Sequence, residues 1–162
     1  SGSCAAMARN FFGMAVPEPE VAAVGRRVHE LSDFLVNVLG VTDTGARFPH
    51  RITYHDSCHA RRELGLLDPP RQLIRAVRDV TFCELPQGEE CCGFGGTFSV
   101  KLAGTSLAMG QDKVRHIVES GAEVVVSGDA SCLMHLGGIL KRDPAARDLR
   151  TMHLAELLVA GW

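Results

Sequence analysis

Apolar residues fall at Val21, Val24, Val28, Leu31, Leu35 and Val38, in steps of three and four. That spacing predicts one long helix with a single buried face, opening after Pro17 and Pro19 and stopping at Gly40. TDTGARFPH then reads as a loop, and RITYH (51–55) as a short strand. DSCHARRELG (56–65) reads as a turn and a short helix. Pro69 and Pro70 open a further helix reaching Val77 or Arg78. VTFCEL (80–85) is strand-like, and Pro86 to Gly88 break it. After a Gly-rich stretch, Leu107, Val114, Ile117 and Val118 mark a helix ended by Gly121. AEVVVSG (122–128) is an unbroken apolar run, as expected of a strand covered on both faces of a parallel sheet. A helix follows Asp129 as far as Leu140, then a short strand over 151–154 and a final helix, AELLVA. Alternating strands and helices predict an α/β fold: an open, mostly parallel sheet flanked by helices.

Composition narrows the possibilities without naming a function. The 162 residues are 46% hydrophobic and 22% charged, enough for one ordinary domain with a core. Seventeen basic residues against nineteen acidic ones give a net charge of -2. There is no basic run or basic–aromatic stretch, so nucleic-acid binding has no electrostatic support. No apolar run is long enough for a membrane span, and the amino end does not resemble a secretory signal. The cytoplasm is the expected compartment. Six cysteines (4, 58, 83, 91, 92 and 132) are many for a reducing compartment, and point to metal, cluster or redox chemistry rather than disulfides.

Placed on the predicted frame, Cys58 follows the 51–55 strand, Cys91 and Cys92 follow the 80–85 strand, and Cys132 follows the 122–128 strand. Three loops at the carboxyl ends of the strands thus each deliver cysteine to the edge where open α/β sheets build ligand sites. Four thiolates suit an iron–sulfur cluster or a zinc ion. The spacing, with 32 residues between Cys58 and Cys91 and 39 between Cys92 and Cys132, is unlike a zinc ribbon but leaves both metals open. His135 stands three residues after Cys132 and offers a further ligand, or a supporting contact. His55 and His59 bracket Cys58; they read as hydrogen-bonded neighbours of the site, with Asp56 as an orienting partner and ligand or proton-carrier roles as alternatives. Cys83 reads as a small buried core residue. Gly93, Gly95 and Gly96 lack the spacing and lysine of a phosphate-binding loop. They read as room for the backbone to pass close to a crowded metal centre. Arg61, Arg62 and Lys101 read as surface charge, with offsetting a cluster's negative charge as the alternative.

These residues carry a family likeness. Cys58, a long spacer, Cys91-Cys92-Gly93, another spacer and then Cys132 in DASCLMH resembles the CCG cysteine-rich domain of heterodisulfide reductases and of the glycolate oxidase iron–sulfur protein. The wording CCGFGGTFSVK with DASCLMH is most similar to the lactate-utilisation iron–sulfur protein A family. The resemblance implies a [4Fe–4S] cluster on Cys58, Cys91, Cys92 and Cys132, with zinc as the alternative. It also implies a redox subunit working with other proteins of a complex that oxidises L-lactate or a related 2-hydroxy acid. It assigns no catalytic residue. The fullest form of the motif ends Cys-x-x-Cys, whereas His135 stands at the last position here. Ser3-Cys4-Ala5-Ala6-Met7 echoes Ser131-Cys132-Leu133-Met134, which makes Cys4 the last ligand of a preceding copy. The expected organisation is therefore a remnant repeat over 1–16, a helical connector over 17–45 and a carboxyl-terminal CCG domain over 46–162. Such a half, prepared in air, would carry free or oxidised thiols or a purification metal. Competing readings are a zinc-binding structural or assembly module, and a dithiol redox protein cycling Cys91 or Cys92 with Cys58 or Cys132.

Overall fold

A computed structural model describes residues 1–161. Four strands, β1 (Arg51–Tyr54), β2 (Thr81–Cys83), β3 (Val124–Ser127) and β4 (Arg150–His153), form one sheet in the order β2-β1-β3-β4. Every pairing is parallel, with Ile52 beside Phe82 on one side and beside Val124 on the other. The α/β expectation therefore holds.

Period-two alternation splits the central strands between two cores. Ile52, Tyr54, Val124 and Val126 face Leu73 and Ile74 of the Asp68–Ala76 helix, together with Leu154 and Leu157. Val125 faces the other way, onto Val114 and Ile117 of the Ala103–Glu119 helix and Leu136 and Leu140 of the Ala130–Leu140 helix. All four residues of β3 are buried, which explains why its sequence does not alternate. Ile52→Ala should lower unfolding free energy by about 2–5 kcal/mol in a urea titration. Val100→Ala, at a residue 81% exposed, should change it by less than about 0.5 kcal/mol.

The long helix expected over 21–38 is not formed. A helix over Pro19–Gly25 ends, and a second starts at Leu31–Asp33 and widens into a π-type turn over Phe34–Val38. Two contacts separate them. Gly25 packs on the preceding segment so closely that a Cβ would meet the Ala8 carbonyl oxygen at 2.9 Å. Glu30 then caps the second helix, its carboxylate accepting from the Ser32 backbone N–H at 2.7 Å and from the Ser32 hydroxyl. Capping and close packing override a periodicity that spans both pieces. Cys83 also differs from expectation: it closes edge strand β2 and is half-buried, because that strand has a neighbour on one side only.

Candidate metal centre

The order β2-β1-β3-β4 places the topological switch point between β1 and β3, where the loops leaving the carboxyl ends of neighbouring strands diverge and open a crevice. His55 sits at that point. Its N–H donates to the Val126 carbonyl at 2.8 Å, and the Ser127 hydroxyl donates to its carbonyl at 2.9 Å. The ring, 0% exposed, is therefore positioned by the sheet itself. Cys58 follows on the same loop, half-buried, at the head of a helical turn over His59–Glu63. Cys91 and Cys92 come from the loop after β2, and Cys132 lies in the first turn of the Ala130–Leu140 helix after β3.

The four thiols stand in a row, Cys91 beside Cys58 and Cys92, and Cys92 beside Cys132, each near enough to shift its neighbour's ionisation. His55, Cys92 and Cys132 place their donor atoms within 4.8 Å of one another, and all three residues are buried. All six cysteines are free of disulfides. The neighbouring Cys58 and Cys92 thiols hold the Cys91 thiol well below its ordinary range, against burial. Cys132 falls to about 6, drawn down by the neighbouring Cys92 thiol against burial, with the nearness of the His55 ring adding to it. Cys58 and Cys92 move up, through the neighbouring thiols and burial. Two of the four thiols are thus shifted toward the ionised form and two away from it, as suits a set of donors that exchanges protons for a metal.

A cavity of about 320 Å³ opens over this row. Ser57, His59, Phe94, Gly95, Gly96 and Ser131 line it, with Ser3 and Met7 of the amino-terminal segment along its rim. That segment is pinned by Asp129, which accepts from the Ser3 N–H at 3.1 Å and the Ser1 hydroxyl at 3.2 Å. Cys4 itself is exposed.

The glycines act differently from one another. Gly95 and Gly96, at φ of +53° and +58°, line the opening. Gly93 is crowded not by the thiols but by the Ala103–Glu119 helix: at φ +87°, a Cβ there would lie 2.6 Å from the Ser106 carbonyl oxygen. Gly93→Ala should therefore cost about 2–4 kcal/mol, from backbone strain and overpacking together, in a denaturant titration.

Several predicted neighbours take other places. Asp56 does not orient a histidine; it is buried against Arg71 and Arg61, accepting at 2.9 and 3.0 Å. His135 is not in the donor group of His55, Cys92 and Cys132. Its ring lies by Phe94, centroids 6.1 Å apart, with Nε2 near Gly110. Arg62 donates to the Glu89 carbonyl at 2.9 Å, and Lys101 is exposed. Lys113, overlooked in the sequence, is fully buried and donates to the Gln87 carbonyl at 2.6 Å, tying the cysteine loop to the helix below it. Its spacing from Gly110, Val114 and Ile117 on the buried helix face was the available signal.

The residues present fit a metal or cluster: soft, partly ionised thiols, an imidazole with both nitrogens buried and unpaired, and room above them. The CCG cysteine-rich domain model matches residues 52–137. The chain is 41% identical over 162 residues to lactate utilization protein A of Oceanobacillus iheyensis, covering 98% of this chain and 66% of that protein. It is 44% identical to the Exiguobacterium protein of that name, covering 99% and 66%, and 43% identical to that of Bacillus subtilis, covering 98% and 67%. The chain spans about two thirds of the length of these relatives. It belongs to the lactate utilization protein A family and carries that family's CCG cysteine-rich domain.

Proposed function

We propose that the chain is the iron–sulfur electron-transfer part of a system that oxidises L-lactate, or a related 2-hydroxy acid such as glycolate, to the 2-oxo acid. The observation that carries this is the convergence of Cys58, Cys91, Cys92 and Cys132, unbridged, beneath one open cavity at the sheet's switch point. The relatives' name supplies the lactate context, and with it the expectation of partner proteins in the same system. Free thiols in such number suit a reducing compartment such as the cytoplasm. No helix among the described residues is long and apolar enough to cross a membrane. In this reading residues 46–162 form the cluster-bearing unit and 17–45 lead into it.

A bound [4Fe–4S] cluster would supply one-electron oxidation and reduction. The chain's own part is to hold and insulate it. Cys58, Cys91, Cys92 and Cys132 are the ligands, and loading thiols as thiolates releases protons. Phe94 and Met7 restrict water at the cavity, while Gly95 and Gly96 leave an approach without side chains. The test is anaerobic purification with iron, acid-labile sulfide and visible absorbance measured before and after dithionite. Iron and sulfide in comparable amounts with bleaching on reduction are expected. Their absence from carefully anaerobic protein sinks the reading.

A second reading has one observation in its favour. Among the described residues, His55, Cys92 and Cys132 are the group with donor atoms within 4.8 Å of one another, three of the four donors a structural zinc takes. Stoichiometric zinc in cell-grown protein, with no sulfide, would select this structural or assembly role.

A further inference from the structure

We propose that a ring nitrogen of His55 is itself a ligand of the centre, which is then held by mixed imidazole and thiolate donors. This rests on the iron–sulfur reading above and puts the imidazole in the place of one of its four thiolates.

Burial makes the first part of the case. His55 is fully enclosed, and neither Nδ1 nor Nε2 has a hydrogen-bond partner. Buried polar groups in native proteins are almost always paired, so a ring with two unpaired nitrogens calls for a ligand. Position makes the second. The backbone of His55 is fastened on both sides, through its N–H to Val126 and its carbonyl to Ser127, so the sheet aims the ring. It aims it at sulfur: the nitrogen shares a 4.8 Å neighbourhood with the thiols of Cys92 and Cys132.

The other imidazole near the site lacks this placement. His135 Nε2 is also buried and unpaired, but its ring packs by Phe94 and Gly110. Among the described residues the group of three close donors contains His55 and not His135.

The chemical consequence is a centre one charge less negative than an all-thiolate one. Where imidazole replaces thiolate on iron, the reduction potential rises. A histidine ligand therefore makes the centre a better electron acceptor than its cysteines alone would.

The experiment uses the chain loaded anaerobically with iron and sulfide, one sample carrying nitrogen-15 in histidine only. Pulsed electron paramagnetic resonance is recorded in whichever redox state holds the unpaired electron. A nitrogen-14 hyperfine coupling that changes to the nitrogen-15 pattern in the labelled sample is expected. His55→Gln should lose that coupling, and His135→Gln should keep it. His55→Cys should retain iron, lose the nitrogen coupling and shift the midpoint potential downward. An iron-loaded, paramagnetic centre without a histidine coupling, or one whose coupling persists in His55→Gln, overturns the assignment while leaving the iron–sulfur reading intact. A chain that takes up no iron or sulfide overturns that reading, and the assignment with it. The isotope comparison on the unsubstituted chain decides the matter even if a variant fails to fold.

Discussion

Cys92→Ser is expected to reduce metal retained after anaerobic reconstitution by at least about tenfold, since even residues that only orient a ligand cost about 10–100-fold. Cys92 is the central donor of the row, in contact with both Cys91 and Cys132, and it belongs to the close group with His55. At 2% exposed it leaves little room for water to replace its sulfur. A serine hydroxyl is a hard, weakly acidic donor, poorly matched to the metals that thiolates select. Cys4→Ser and Cys83→Ser, which alter cysteines absent from the cavity lining, should keep the metal in full. Elemental analysis of desalted samples measures all three, with circular dichroism to show that each is folded. Full metal content in folded Cys92→Ser would remove Cys92 from the ligand set.

Arg71→Ala should cost about 3–5 kcal/mol of unfolding free energy, the usual penalty for stripping one partner from a buried ion pair. Arg71 grips Asp56 through two nitrogens, at 3.0 and 2.9 Å, and donates to the Leu67 carbonyl at 2.9 Å. It also reaches Glu84 at 3.2 Å and lies over the Tyr54 ring. Without it the buried Asp56 keeps only Arg61, whose side chain is partly exposed and contributes less. Asp56 stands two residues before Cys58, so the same change should loosen that ligand. Replacing the pair together, as Asp56→Asn with Arg71→Met, should recover part of the loss because no buried charge is then left uncompensated and the freed Arg61 reaches solvent. Urea titrations of the single and double variants decide it. A loss below about 1 kcal/mol in Arg71→Ala would mean that water reaches Asp56 and the pair is not a buried one.

Much of this chain was legible as sequence because the relevant signals are local. The run Val124–Val126 announces a strand with no wet face, and turn residues bound each element. The Asp129 start and Leu140 end of the helix carrying Cys132 follow from the same grammar. With strands alternating with helices, cysteines just after three of them had to meet at one sheet edge. The errors share a cause. Helical periodicity over 21–38 is a property of spacing, whereas the break at Gly25 comes from an atom of residue 8 that spacing does not report. Asp56 and Lys113 find their partners 15 and 26 residues away.

By itself the sequence determined the α/β architecture, the family and the four cysteines offered to one edge, since periodicity, turn chemistry and motif are written in neighbouring residues. Only the tertiary structure decided which histidine stands among the sulfurs. His55 and His135 are each three residues from a cysteine. The backbone bonds of β1 and β3 turn the first toward the thiols, and helix packing against Phe94 and Gly110 holds the second outside the donor group. Sequence distance cannot tell them apart, because ligand geometry is set by the direction in which a fastened backbone points a side chain.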